Sequence, residues 1–211
     1  MTNTPFPIVV LISGRGSNLQ AIIDVSRRDL PVDIRAVISN QADALGLDRA
    51  RQEGIQTVVL EHGPFPTREA FDQRLIPIIE GFDPRLVILA GFMRVFTPAF
   101  VEHFSGRLIN IHPSLLPQLP GLHTHERAIE QGLKEHGATV HFVTEEVDSG
   151  PIIIQARVPV FPDDTPTVLA ERVLEQEHRI FPQSIRWFVE GRLQIRDGQV
   201  WLDGSPISSI G

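Results

Sequence analysis

The chain contains no cysteine. That absence excludes disulfides, thiolate metal sites and a cysteine nucleophile at once, and it fits a cytoplasmic location. Basic charge is also short: 19 Lys and Arg stand against 26 Asp and Glu, for a formal net charge of -7. A general nucleic-acid binder needs a basic face for phosphate contacts, so small-molecule chemistry is the better expectation and no nucleic-acid partner is expected. No uninterrupted apolar run approaches the roughly 18 residues of a membrane span. The opening MTNTPFPIVVLIS has neither the basic stretch nor the long apolar core of a signal peptide, so no membrane partner is expected either. Linkers, internal repeats and low-complexity segments are missing too. What remains is 211 residues, 42% of them hydrophobic, which suits one domain with one substantial core.

The apolar residues are arranged as an α/β protein. Ile8 to Ile12 is a continuous β-branched run, the pattern of a strand buried on both faces in a parallel sheet. A Gly-rich turn and a helix over Leu19 to Ser26 follow. The alternation then repeats: strand Ile34 to Ile38, helix Leu45 to Gln52, strand Ile55 to Leu60, helix from a Thr67 cap through Glu80 with Pro77 as a kink or early end, and strand Leu86 to Leu89. Thr97-Pro98 reads as N-cap and first residue of a short helix. This grammar predicts a doubly wound, mostly parallel sheet of Rossmann-like type. Downstream it changes to a mixed extension: strands Ala138 to Thr144 and Ile152 to Val158, a helix over Pro166 to Arg186, and a hairpin turning at Asp197-Gly198.

Ser13-Gly14-Arg15-Gly16-Ser17-Asn18 joins the first strand to the first helix. Two glycines permit a tight turn, and helix N–H groups with the Ser17 and Asn18 side chains can hold an anion such as the phosphate of a small molecule. The bland alternative is a plain strand-to-helix turn. A dinucleotide fingerprint fails because Leu19 occupies the place of its third small residue and Ser39-Asn40 lacks the ribose-binding acid.

In RLINIHPSLLP, residues 107–117, a strand gives way to a proline-stiffened loop, with Asn110 and His112 two apart and so on one face. Such a pair at the carboxyl end of a strand can donate to a developing oxyanion; the bland alternative is that Asn110 caps a loop and His112 is a satisfied core histidine. Asp148, in HFVTEEVDSG, is a carboxylate that could orient His112 and favour its charged form. The loop QLPGLHTH adds His123 and His125, but no zinc-site spacing accompanies them, so no metal is expected and the loop reads as substrate-lining, with Thr124 capping a helix. Arg68 could face an anion or solvent, Met93 to Phe96 could wall a ligand or pack in the core, and Glu177 could be a surface carboxylate or bind a substrate ammonium.

The segments SGRGSNLQAI, AGFMRVFTPAF, NIHPSLLPQLPGLHTH, GATVHFVTEEVDSGPII and QEHRIFP, in this order, closely resemble the phosphoribosylglycinamide (GAR) formyltransferases, the folate-dependent family that formylates GAR in de novo purine synthesis. The resemblance runs from about residue 8 to 202. It implies a single formyltransferase domain over 1–211: a polar extension over about 1–6, a GAR phosphate-binding half over about 7–105, and a catalytic and folate-binding half over about 106–211. It further implies 10-formyltetrahydrofolate as co-substrate, no metal, and a monomer or homodimer. Asn110, His112 and Asp148 would be catalytic. Gly16, Ser17 and Asn18 would hold the GAR phosphate, and Glu177 would lie near its amine. Arg68, Met93, Arg94, Val95, Phe96, Asn110, Thr144, Glu145, Glu146, Val147 and Asp148 would contact the folate. Related formyl-transfer cores serve methionyl-tRNA formyltransferases and formyltetrahydrofolate hydrolases. Those carry additional domains, which the length of this chain is not expected to accommodate.

Overall fold

The structure is a computed structural model that describes residues 4–207. The chain forms two compact units, Met1–Asn110 and Ile111–Gly211. The first alternates β1 (Phe6–Ile12), α1 (Ser17–Ser26), β2 (Val32–Ser39), α2 (Leu45–Gln52), β3 (Thr57–Val59), α3 (Arg68–Glu80), β4 (Leu86–Leu89) and α4 (Pro98–His103). It ends in β5 (Leu108–His112), whose last two residues belong to the second unit. Its strands pair in parallel in the order β3-β2-β1-β4-β5. The chain therefore winds outward from β1 through β2 and β3, then returns to start again at β4 on the other side. Between β1 and β4 the winding reverses, and in open α/β sheets ligands bind beyond the strand ends at such a switch.

The apolar runs form strands because both of their faces are covered. Ile8 through Ile12 are each 0% exposed, as are Val87 and Ile88 opposite them. Pro77 lies inside α3 without ending it, so the helix does not stop early there. A proline inside a helix costs about 3 kcal/mol, and the complete burial of Leu75 and Ile79 on either side of it offsets that, at about 1.5–3 kcal/mol each. Phe92, Phe96, Phe100 and Phe104 form a column with ring centroids 5.3, 3.9 and 4.9 Å apart.

The second unit holds α5 (Thr124–Glu130), β6 (Glu135–Phe142), β7 (Ile152–Pro159), α6 (Pro166–Val189), β8 (Leu193–Arg196), β9 (Gln199–Leu202) and β10 (Ser205–Pro206). β6 and β7 are antiparallel, and α6 packs on both. β8 and β9 form the expected hairpin, with Asp197 and Gly198 at positive φ as a two-residue turn requires. The expected fold class, a mostly parallel α/β sheet followed by a mixed C-terminal part, is the one observed. Some details differ: β6 starts at Glu135 and stops at Phe142, so Thr144 lies in the loop, and β10 adds a short strand that no apolar run announces.

One long-range contact positions the start of α4. Asp72, 2% exposed on α3, accepts a hydrogen bond from Thr97 N at 2.7 Å, and Thr97 caps α4 through Phe100 N. Burial pushes the Asp72 carboxyl above its ordinary range, while the Thr97 hydrogen bonds and the Arg94 charge pull it back. Asp72→Ala strands the buried Thr97 N–H at a cost of about 1–3 kcal/mol. Thermal unfolding is expected to show Tm lowered by about 2–4 °C per kcal/mol. Asp72→Asn, which keeps an oxygen acceptor without the buried charge, is expected to melt close to the wild type.

Candidate active site

In the first unit, the site grows from the carboxyl ends of β1 and β4. Gly16 precedes α1 with φ 71°, a left-handed conformation that suits glycine, and a Cβ added there would lie 2.6 Å from Gly46 Cα. The turn is tied down from α2, where Gly46 N donates to Gly14 O at 3.0 Å and Arg49 Nε donates to Arg15 O at 2.8 Å. Gly16, Ser17 and Asn18 thus sit in a rigid turn at the N-terminus of a ten-residue helix that no side chain caps, the arrangement that favours an anion. Ser13 links this turn to its neighbours. Its hydroxyl donates to Asn40 Oδ1 at 2.5 Å and accepts from Met93 N at 2.8 Å, and its own N–H donates to Gly91 O at 3.0 Å.

The segment after β4 splits by side chain. Met93 and Val95 are exposed, 65% and 45%, whereas Phe96 is buried in the aromatic column. The Arg94 guanidinium lies over the Phe71 ring, 4.5 Å from its centroid. Arg68 is exposed at the first turn of α3. Asn110, half-buried on β5, closes the unit.

In the second unit, His112 and Asp148 come together. His112 Nδ1 stands 3.5 Å from Asp148 Oδ1, an ion-pair separation rather than a tight hydrogen bond, and both side chains are about nine-tenths buried. On the other side of the ring, His112 Nε2 stands 3.0 Å from Leu119 O. Asp148 Oδ2 accepts from Gly121 N at 2.8 Å. A neutral imidazole can donate to only one of its two oxygen neighbours, and an imidazolium to both. Asp148 has φ 54°, and Thr144, Glu145, Glu146 and Val147 before it are exposed. Glu177 is 7% exposed on α6, so the surface reading of this carboxylate does not hold.

Residues 7–185 match the family model described as formyl transferase. The chain belongs to the formyl transferase family. It is 55% identical to the phosphoribosylglycinamide formyltransferase of Escherichia coli (strain K12) over 205 residues, 97% of each chain. The solved phosphoribosylglycinamide formyltransferase from Coxiella burnetii is 54% identical and superposes with a TM-score of 0.93, covering 97% of this chain and 96% of that one. A formyltetrahydrofolate deformylase from Pseudomonas putida KT2440 shares 27% identity at a TM-score of 0.86, over 96% of this chain and 71% of that one.

Sequence reasoning about this formyl transferase missed the main-chain groups, Leu119 O and Gly121 N, that hold His112 and Asp148; no residue type announces a carbonyl or an amide. The two histidines of the QLPGLHTH loop part company. His123 turns out to Glu126, 2.7 Å away on the surface, while His125 meets His136 of β6 at 3.2 Å. Thr124 does not cap α5: its hydroxyl donates to Pro113 O at 2.6 Å, and His123 precedes the helix at φ 57° without a side-chain cap. Among the described residues, no group of three or more His, Asp or Glu could hold a metal ion. No helix among them is long and apolar enough to cross a membrane.

Burial pushes His136 down to about 4, with the charges of His125 and His112 acting in the same direction. Burial also lowers His125 and His141. A histidine lowered on folding takes up protons more readily in the unfolded chain. The stability it contributes is complete above pH 6.5, the ordinary value, and drains away as pH falls toward 4. Urea unfolding at a series of pH values is expected to show a loss on the order of 2–3 kcal/mol from His136 between pH 7 and pH 4.5. His136→Asn is expected to flatten that part of the slope.

Proposed function

We propose that this chain transfers the formyl group of 10-formyltetrahydrofolate to the glycinamide amine of GAR, giving formyl-GAR and tetrahydrofolate in de novo purine biosynthesis. The single observation that carries the reading is the end-to-end 55% identity to the Escherichia coli enzyme. The buried His112–Asp148 pair supports the chemistry. Gly16, Ser17 and Asn18 hold the GAR phosphate at the N-terminus of α1, and Glu177 receives the ammonium end. The folate lies against Arg68, the segment Met93, Arg94, Val95 and Phe96, Asn110, and the loop Thr144, Glu145, Glu146, Val147 and Asp148. The protein works as a single cytoplasmic domain, as a monomer or homodimer, without metal.

The amine lone pair attacks the formyl carbon, and the carbonyl oxygen takes up the charge. The Asn110 amide and the His112 ring donate to that oxyanion. Because His112 Nε2 is engaged by Leu119 O at 3.0 Å while Nδ1 is only loosely matched to Asp148 at 3.5 Å, Nδ1 is the donor toward the reacting centre. Asp148 takes the proton lost by the amine, directly or through water. Collapse of the intermediate breaks the bond to folate N10, which takes up that same proton from Asp148, directly or through water, as it leaves.

The test is formyl transfer by the purified protein with 10-formyltetrahydrofolate and GAR, with products identified by mass. Formyl-GAR made without added metal is the expected product. Formate alone would assign the chain to the hydrolytic reaction named for its Pseudomonas putida relative. Asn110→Ala and His112→Ala are each expected to lower kcat at least about a hundredfold, the usual loss for one oriented oxyanion donor. Unchanged circular dichroism would show the fold intact, and near-normal turnover in either variant would remove that residue from the mechanism.

A further inference from the structure

The loop over residues 113–123 supplies both main-chain groups that hold His112 and Asp148, so its own geometry sets theirs. Its two ends are tied by side chains: Ser114 Oγ donates to Gln118 O at 2.7 Å, and Thr124 Oγ1 donates to Pro113 O at 2.6 Å. The tip is held from α5. Arg127 Nη1 donates to Pro120 O at 2.6 Å and to Leu122 O at 3.2 Å, the carbonyls on either side of Gly121.

Pro120 O and Gly121 N–H are the two ends of one peptide group. A peptide group is planar and trans, so fixing the direction of its carbonyl fixes the direction of its N–H. Arg127 grips the oxygen end, and Asp148 Oδ2 receives the N–H end at 2.8 Å. The guanidinium is a permanent cation, and a cation on the carbonyl polarises the peptide and strengthens its N–H as a donor. Gly121 itself has φ 80°, so the chain turns sharply here and the peptide has no regular secondary structure to orient it.

We propose that Arg127 is a positioning residue for the formyl-transfer reaction: through the Pro120–Gly121 peptide it aims an N–H at Asp148 and so holds the carboxylate against His112. The inference rests on the reading of Asp148 as the proton acceptor. It concerns kcat, because Arg127 acts, through the peptide it grips, on a group used in the chemical step.

Steady-state kinetics on the full chain with 10-formyltetrahydrofolate and GAR test it in four variants: Arg127→Met, Arg127→Gln, Asp148→Asn, and Arg127→Met combined with Asp148→Asn. Arg127→Met is expected to lower kcat about tenfold, the lower end for a hydrogen bond to a charged group, with both KM values within about twofold. Arg127→Gln keeps an N–H donor and is expected to recover kcat to within about threefold of wild type. In the Asp148→Asn background, the further change Arg127→Met is expected to have less than about a twofold effect, because the two residues act in series. A wild-type kcat in Arg127→Met, a loss carried by KM, or a full additional tenfold loss on top of Asp148→Asn would each overturn the proposal. An Arg127→Met protein that does not fold would overturn it too, since the guanidinium is proposed to orient one peptide and not to hold the fold. Wild-type kcat in Asp148→Asn would instead defeat the reading of Asp148, whereas a loss there with none in Arg127→Met would defeat the role of Arg127 alone.

Discussion

The parallel pairing of β1 with β4 is the constraint on which the first unit depends. Val9, Val10 and Leu11 lie opposite Val87, Ile88 and Leu89, almost entirely out of water, and the chain cannot lose that register without exposing the centre of its core. Once the two strands run side by side, the segments leaving their carboxyl ends must also run side by side. The Gly-rich turn after β1 and the segment after β4 then fall within reach of one hydroxyl, that of Ser13, which bonds to Asn40 and Met93 together. Packing energy is thereby converted into the placement of two loops that are distant in sequence.

In the second unit a different problem is solved. A carboxylate and an imidazole buried together are costly unless the remaining hydrogen-bonding positions are filled. Gly121 N fills one of the positions on Asp148, and Leu119 O faces the far nitrogen of His112. The loop that supplies these groups has Leu119 and His123 at positive φ, and Asp148 is there as well. Left-handed conformations of non-glycine residues cost about 1–2 kcal/mol each. The side-chain bonds from Ser114, Thr124 and Arg127 over-determine the loop and let that strain persist at the place where the geometry of His112 and Asp148 is set.

The histidines of this unit illustrate how environment divides one residue type into several roles. His123 is exposed and pairs with Glu126 at the surface, whereas His125 and His136 are withdrawn from water and face each other, with their protonation suppressed by burial. His112, by contrast, has oxygen acceptors beside both ring nitrogens.

The sequence by itself determined the local elements. The apolar runs marked β1, β2 and β4, Thr67 and Thr97-Pro98 marked the starts of α3 and α4, Asp197-Gly198 marked the hairpin, and His112 and Asp148 were marked as a candidate pair that the fold does bring together. These signals lie within a few neighbouring residues, where backbone conformation and hydrophobic period act directly. Only the tertiary structure decided that Asp72 would serve α4, that Glu177 would be buried, that His125 would meet His136, and that Arg127 would grip the peptide beside Asp148. Each of those outcomes depends on which side chains meet across elements, or on main-chain groups that every residue carries alike. Strand register and loop path settle both, and neither is written in the local order of residue types.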